Sequence, residues 1–302
     1  MPVSAGAPRR GFTLVELLVA LALASVVAAA LLTVLVRQQR FYAGVAQLVE
    51  TRAHIREGLG VLPNDLRNLS TAAGDLLAMS DSAIELRATI GSAVACDVGK
   101  HTLDLPPLDA ATMTLTTWLS RPQPGDDVHV LDDRTGELRS AGVTSVESGT
   151  TLCPGSPLIS PSLDAGKPRH RITVDASLPP GVGAGSPMRF TRRVRYSLYR
   201  SPSDARWYLG YTELNPSTHA FNAVQPVSGP YRAFDGGSAS GVAFRFLDGS
   251  GEVATTGGKV AVIEVVVRGI TRGIVRIDGM RTNRGLRQVE AESVSVAIRN
   301  RS

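Results

Sequence analysis

The sequence predicts an α+β protein in which a long N-terminal α-helix, half transmembrane and half amphipathic, carries a β-rich head of antiparallel sheet. Three observations predict this fold. Residues 12–36 are apolar at 21 of 25 positions, residues 37–69 keep a helical spacing of apolar side chains, and the rest alternates short β-branched segments with turns. A length of 302 residues with 30 Gly and 18 Pro allows a sizeable core and favours a turn-rich chain over a helical bundle.

The segment 12–36 is long enough to cross a membrane. Twenty-five helical residues extend about 37 Å, and a hydrocarbon core is about 30 Å thick. Arg9 and Arg10 precede the segment and Arg37 and Arg40 follow it, so the charges nearest the membrane give little information about orientation. The short leader favours a cytoplasmic N-terminus, because some 260 residues follow on the other side.

A removed secretory signal is the alternative interpretation of this segment. Such signals have an apolar region of about 7–15 residues that ends at small residues, and Ala28, Ala29 and Ala30 resemble that ending. The chain nevertheless continues apolar to Val36, which favours a retained membrane helix.

Glu16 is the only charged residue in the apolar segment. A carboxylate at the centre of a bilayer costs about 2.5–3.5 kcal/mol, which indicates a partner. Since 12–36 contains no Lys, Arg or His, we expect the partner to be a lipid headgroup, another chain or a new N-terminus. Cleavage between Gly11 and Phe12 would create an amine four residues from Glu16, available to the Glu16 of a neighbouring parallel helix. Simple extension of the side chain to the interface is the alternative.

The segment Arg9–Ala20 (RRGFTLVELLVA) resembles the class III leader and N-methylation motif of type IV prepilins and of type II secretion pseudopilins. The resemblance implies cleavage after Gly11 by a membrane prepilin peptidase, N-methylation of Phe12, and assembly into a helical filament through the apolar helix. Arg9 and Arg10 are then the leader charge, and Glu16 offsets the N-terminal charge of an adjacent subunit. Many major pilins have a proline midway along this helix, which this chain lacks.

Beyond residue 36 the pattern becomes amphipathic. Apolar residues follow spacings of three and four, typical of one buried helix face. They are Phe41, Val45, Leu48, Ile55, Leu59, Leu62 and Leu66. Because Gly58, Gly60 and Pro63 weaken a helix, we expect it to end or kink near 58–63, with Asn64 capping a short helix to Leu69.

The remaining chain predicts strands, turns and two loops. The predicted strands are 82–89, 113–119, 128–131, 137–143, 171–178, 193–200, 207–214, 242–247, 260–268 and 293–299. The loops, rich in Pro, Gly and Ser, are 154–168 and 179–187. The predicted division is therefore a leader at 1–11, a transmembrane or filament-core helix at 12–36, an amphipathic stalk helix at 37–69 and a β-rich periplasmic head at 70–302.

A second resemblance covers the C-terminal third. The strand Gly241–Phe246, the Val-rich strand after it, the terminal SVSVAIR segment and the sequence Asp65-Leu66-Arg67 are similar to PilW-type minor pilins and, more distantly, to J-type pseudopilins. The region of roughly 90–190 resembles nothing familiar.

Cys96 and Cys153 are the only cysteines. An exported head would lie in an oxidising compartment, which favours a disulfide, with two buried thiols as the alternative. Closing a loop of this length is worth about 4 kcal/mol in the chain-entropy model. Neither cysteine belongs to a CxxC pair, which argues against a metal site.

We find no pattern typical of catalysis. The five histidines are scattered, and neither a P-loop nor a G-x-S-x-G motif occurs. Three acidic groups, Asp126-Asp127, Asp132-Asp133 and Asp248 with Glu252, have the ligand type that calcium requires, but we interpret them as solvated turn residues. We therefore expect no enzyme activity, no cofactor and no metal.

The charge distribution leaves two alternatives open. The net charge is +5, and residues 268–301 contain an excess of arginine. Such a patch would bind DNA or an anionic surface, but solvated strand edges are the interpretation that we prefer.

The resemblances together imply a PilW-type minor pilin that primes or caps a type IV pilus. Its expected partners are other minor pilins, the major pilin, prepilin peptidase, the inner-membrane assembly platform and, before assembly, the membrane. The expected location is the inner membrane, crossed once with the head in the periplasm, and then the pilus or pseudopilus. The alternatives are a J-type pseudopilin of a type II secretion pseudopilus and a signal-anchored periplasmic enzyme or binding protein.

Overall fold

A computed structural model describes residues 11, 13–216, 218–237, 239–275 and 287–298. These residues form one long helix, α1 (Leu14–Arg67), and fifteen strands. The strands are β1 (Leu76–Met79), β2 (Ala83–Val94), β3 (Asp97–Val98), β4 (Thr102–Leu105), β5 (Thr116–Trp118), β6 (Asp127–Asp132), β7 (Glu137–Gly149), β8 (Arg169–Val174), β9 (Pro187–Arg200), β10 (Trp207–Asn215), β11 (Ala220–Phe221), β12 (Gln225–Tyr231), β13 (Val242–Leu247), β14 (Val262–Ile270) and β15 (Val289–Ala297). A short 3₁₀ turn covers Gly257–Lys259.

The chain divides into two compact units. The helical unit comprises residues 1–50 and 271–288, and the β-rich unit comprises residues 51–270 and 289–302. The predicted α+β fold of a long N-terminal helix followed by antiparallel sheet is confirmed.

Helix α1 does not end at 58–63 as one of our alternatives predicted. It continues through Pro63 to Arg67, and Asn64 lies inside it rather than capping a second helix. Pro63 has no N–H to donate to the carbonyl of Leu59, and its ring fits a helix poorly. Packing outweighs this cost, because Leu62 and Leu66 on either side of the proline are fully buried.

The C-terminal part of α1 forms one wall of the larger core. Ile55, Leu62 and Leu66 are fully buried among β-strand side chains of the β-rich unit, and each such side chain contributes about 1.5–3 kcal/mol. The predicted apolar stripe is therefore confirmed over 55–66. It is wrong for Phe41 and Val45, which are 49% and 37% exposed.

Strand β9 lies at the centre of the sheet and pairs with three other strands. One edge pairs with β2 over Pro187–Ser197, while the other pairs with β6 at Met188–Thr191 and with β10 at Val194–Arg200. All pairings between the described strands are antiparallel. A second core, which includes Leu103, Val128, Ile172 and Phe190, is formed by the end of β2 together with β4, β6, β7, β8 and β9.

The strand predictions were most accurate where the alternation is long. The predicted segment 242–247 coincides with β13, and 260–268 is shifted by two residues relative to β14. Residues 128–131 and 137–143 pair as the predicted hairpin, with Gly136 at φ +69° in its turn. Strands β1, β3, β4, β11 and β12 were missed because they are short or, in β12, interrupted by Pro226 and Pro230.

Candidate assembly site

The N-terminus of α1 is held by a reciprocal pair of hydrogen bonds between Thr13 and Glu16. The backbone N–H of Glu16 donates to Thr13 Oγ1 (3.3 Å), while Glu16 Oε2 accepts from the backbone N–H of Thr13 (3.2 Å) and from its hydroxyl (3.3 Å). This is the capping box, which satisfies two of the N–H groups that the first helical turn leaves unpaired. Glu16 thus has a partner within its own chain, which our sequence interpretation did not consider. The spacing T-x-x-E before an apolar run was the signal that would have revealed it.

The bond predicted to be cleaved lies just before this cap. Gly11 is exposed and lies outside the helix, and a Cβ added there would have no atom within 4 Å. Phe12, Arg9 and Arg10 lie outside the described residues. Gly11 itself is therefore accessible.

The helix from Leu14 to Val36 is exposed on every side. Its large apolar side chains are 41–77% exposed, from Val36 to Leu14. Ser25 Oγ donates to the carbonyl of Ala22 (2.7 Å) and Thr33 Oγ1 to that of Ala29 (2.8 Å), so both hydroxyls are satisfied within the helix. Among the described helices this one is long and apolar enough to span a membrane. Such a surface requires lipid or other apolar helices around it.

The Asp65-Leu66-Arg67 sequence contributes a buried contact to the β-rich unit. The Tyr196 hydroxyl donates to Asp65 Oδ2 (2.7 Å), and Leu66 is fully buried. Burial raises the pKa of Asp65, although the hydrogen bond from Tyr196 opposes the shift, and burial beside Asp65 raises the pKa of Tyr196. The observed role of Asp65 is to join the end of α1 to β9.

Cys96 and Cys153 form a disulfide with their Cα atoms 5.5 Å apart, as predicted. Both sulfur-bearing side chains are buried with Ile159 in a small satellite core. The bond joins the short connection between β2 and β3 to the residue just before the predicted loop 154–168, which contains no strand. Its position indicates a structural role.

The interpretation of the acidic groups as solvated turns is wrong for Asp126 and Asp132, which are only 3% exposed. Asp126 accepts two hydrogen bonds of 2.8 Å from the guanidinium of Arg192, which also contacts Glu213. Asp248 does lie in an exposed turn, where it accepts N–H groups from Ser250 and Glu252. The described residues contain no cluster of three metal-ligating side chains.

Two histidines that sequence reasoning left unassigned are buried beside serines on neighbouring strands. His129 Nδ1 lies 2.7 Å from Ser140 Oγ, and Nε2 lies 3.0 Å from Thr191 Oγ1. Burial, assisted by the charge of Arg189, lowers the pKa of His129 to about 4. The ring is therefore neutral at pH 7 and forms hydrogen bonds with the buried hydroxyl of Thr191 and the hydroxyl of Ser140, an exposed residue. His170, also buried, lies 3.0 Å from Ser148 Oγ.

The predicted arginine-rich patch lies largely outside the described residues. Of the arginines that are described, Arg268 donates to the carbonyl of Ser240 (3.0 Å) and Arg272 pairs with Glu50 (2.7 Å). Arg268 and Arg272 thus have partners within the chain, and the third described arginine of the patch, Arg287, is exposed.

One comparison with known proteins gives a match. Residues 7–32 match the family model of the prokaryotic N-terminal methylation motif. This match and the apolar helix confirm a likeness to type IV pilins and pseudopilins and indicate membrane anchoring, processing by a prepilin peptidase and pilus or pseudopilus partners in general. The match ends at residue 32, before the β-rich unit. It does not identify the chain as a PilW-type minor pilin. No curated protein and no solved structure matches the chain significantly.

Proposed function

We propose that this chain is a minor pilin-like structural subunit that primes or caps a type IV pilus by packing its helix against those of other minor pilins. The observation that carries the proposal is the helix from Leu14 to Val36, which is apolar and exposed all round and which lies largely within the methylation motif matched at residues 7–32. Before assembly, this helix crosses the inner membrane once, with the β-rich unit in the periplasm. After assembly, it contacts the helices of other minor pilins and of the major pilin.

Processing and assembly are linked at Glu16. Removal of residues 1–11 by prepilin peptidase leaves Phe12 with an N-methylated amine. Glu16 Oε2 is occupied by the Thr13 cap, and a carboxylate has further lone pairs available. In a bundle of parallel helices, we propose that Glu16 keeps its cap and pairs with the Phe12 amine of the adjacent subunit, with the inner-membrane assembly platform bringing the two together.

The size of the β-rich unit supports a role in few copies. A compact body of roughly 230 residues has a diameter of about 45 Å, whereas packed helices lie about 8–10 Å apart. Helices at that spacing can accommodate such bodies only with large axial offsets. Placement at one end of a filament avoids this crowding, which favours priming or capping over repetition along the shaft.

Mass spectrometry of the mature N-terminus tests the proposal directly. The chain is isolated from cells with its prepilin peptidase, and a start at N-methyl-Phe12 is expected. An intact Met1, or cleavage after Ala30, would overturn the proposal in favour of a signal-anchored protein. Gly11→Val is the matched variant, since it should block cleavage while leaving the apolar segment unchanged.

Filament incorporation provides the second test. Glu16→Ala should reduce incorporation into filaments while membrane insertion stays intact, and undiminished incorporation would refute the pairing. Recovery of the chain from purified type IV pili supports the pilin assignment, whereas recovery only with secretion pseudopili supports the J-type alternative.

The proposal gives the chain no catalytic step. The Ser140–His129 contact is a cross-strand pair in which the histidine is buried and neutral. A fluorophosphonate probe should therefore fail to label Ser140, and labelling that is lost in Ser140→Ala would favour the enzyme alternative.

A further inference from the structure

A short segment of the β14–β15 connection is fastened against α1 just beyond its apolar part. The N–H of Gly273 donates to Gln47 Oε1 (2.9 Å), and Arg272 pairs with Glu50 (2.7 Å). The base of the connection is closed by hydrogen bonds of 3.0 Å between Thr271 and Gln288 in both directions. All these residues belong to the helical unit.

This arrangement forms a cleft of about 310 Å³ between the segment and the helix. The lining residues are Arg40, Ala43, Gly44, Gln47 and Ile274. Ala43 is small and exposed, Gly44 lets Val275 approach the helix closely (a Cβ there would lie 3.1 Å from Val275 Cγ1), and Arg40 supplies a cation. Ile274 is 61% exposed although it is a large apolar residue. The cleft thus combines a positive charge with an uncovered apolar side chain.

The position along the helix indicates what lies beside the cleft. Twenty residues separate Glu16 from Val36, which is about 30 Å of helix and equals the thickness of a hydrocarbon core. Arg40 then lies about 6 Å beyond that core, within the headgroup layer. The exposed rings of Phe41 and Tyr42 follow directly, 49% and 69% exposed, as is typical of a membrane interface.

We propose that this cleft binds the headgroup of an anionic phospholipid, with the phosphate on Arg40 and Ile274 against the glycerol and upper acyl chain. Charge complementarity and continuity with the apolar helix favour a lipid over a protein partner. The described charges of residues 37–50, 271–275 and 287–288 are four arginines and one glutamate, which suits an anionic surface. The inference rests on the membrane-anchored state in the proposed function but requires neither cleavage nor assembly.

Lipid-selective quenching tests the proposal on the full chain. Ile274→Trp is reconstituted at a low protein-to-lipid ratio into phosphatidylcholine vesicles that contain brominated phosphatidylglycerol or brominated phosphatidylcholine. The unsubstituted chain, with Trp118 and Trp207, supplies the background. Quenching of the added tryptophan gives a binding constant for each lipid. The constant for brominated phosphatidylglycerol should be about five times that for brominated phosphatidylcholine, and this ratio measures the selectivity. A five-fold ratio is the effect of one arginine near an anionic surface.

Three variants in the Ile274→Trp background separate the cleft from simple charge. Arg40→Gln should bring the ratio of the two lipid binding constants close to one. Ala43→Leu should lower it by filling the cleft without any change in charge. Arg134→Gln, at an exposed arginine of the β-rich unit, should leave it unchanged. Circular dichroism checks that each variant keeps its secondary structure.

Several outcomes would overturn the inference. Equal quenching by the two lipids would exclude selectivity, and quenching by neither would place Ile274 away from the bilayer. Quenching that changes with the protein-to-lipid ratio and not with lipid charge would mean that a second subunit occupies the cleft. Failure of the unsubstituted chain to float with vesicles would instead contradict the membrane anchoring of the proposed function.

Discussion

The Tyr231 hydroxyl donates a hydrogen bond of 2.7 Å to the backbone carbonyl of His54, joining β12 to α1. Ser228 Oγ lies 2.6 Å from the same hydroxyl. Burial raises the pKa of Tyr231 to about 12, so the hydroxyl stays protonated at neutral pH. One turn along the helix, Gly58 allows this approach, because a Cβ there would lie within 3 Å of both Tyr231 Oη and Ser228 Oγ.

We expect Gly58→Ala to destabilise the protein by about 1–3 kcal/mol, since the added methyl meets the Tyr231 hydroxyl. Gly60→Ala is the matched control, because a Cβ at Gly60 meets nothing within 4 Å and alanine favours a helix by up to about 1 kcal/mol. Urea unfolding in micelles, followed by tryptophan fluorescence, measures both. The cost of Gly58→Ala should shrink in a Tyr231→Phe background, and an unchanged cost would contradict the contact.

The two roles assigned to Glu16 can be separated. Glu16→Gln keeps an acceptor for the Thr13 cap but loses the charge that would pair with an amine, whereas Thr13→Ala loses the cap and keeps the charge. We expect Glu16→Gln to reduce incorporation into filaments as strongly as Glu16→Ala. Thr13→Ala should instead weaken the first helical turn by about 1 kcal/mol, measured as faster amide exchange at residues 15–17. If Glu16→Gln assembles normally, the cap and not the charge is the essential feature.

Arg192 should not tolerate lysine. Its guanidinium holds both oxygens of buried Asp126 and also contacts Ser120 Oγ (3.2 Å), and lysine cannot reproduce this fork. We expect Arg192→Lys to cost about 2 kcal/mol or more. Arg245→Lys, at the exposed pair with Glu264, should change the free energy of unfolding by less than about 1 kcal/mol. Equal effects in chemical denaturation would argue against a specific role for the buried pair.

Stability should fall in mild acid because of His129. Its pKa is about 4 in the folded protein against an ordinary 6.5, so between these values the unfolded chain binds a proton that the folded protein does not. The neutral His129 ring therefore contributes fully to the free energy of unfolding above pH 6.5. This contribution, roughly 3 kcal/mol, is lost as the pH falls to about 4. His129→Gln should remove this slope, measured as the unfolding free energy between pH 7 and 4. His219→Asn, at an exposed histidine with φ +51°, should retain it.

The disulfide should be important for stability. A loop of about 58 residues predicts a loss of about 4 kcal/mol in the double variant Cys96→Ser/Cys153→Ser. Denaturation of the unsubstituted chain with and without reductant gives an independent value. A loss below about 1 kcal/mol in both experiments would indicate that the satellite core around Ile159 is held by other contacts.

Sequence patterns predicted the elements that depend on neighbouring residues. The apolar segment, the hairpin of β6 and β7, and β13 all show a periodicity within a few residues, so no distant contact is needed to recognise them. Strand β12 could not be recognised in this way, because Pro226 and Pro230 interrupt it and its pairing with β10 supplies the order. At the candidate site, the Thr13–Glu16 cap was readable from its spacing, whereas a pairing between subunits is not a property of one chain.

What the sequence by itself determined is the membrane-length helix with its methylation motif, because length, hydropathy and a local motif are sufficient for that conclusion. Only the tertiary structure decided that α1 continues past Gly58 and Pro63, that Asp126 is buried against Arg192, and that Ile274 lies beside Arg40. Each of these depends on residues brought together from distant parts of the chain. The burial and hydrogen bonds gained there outweigh the local propensities that a sequence displays.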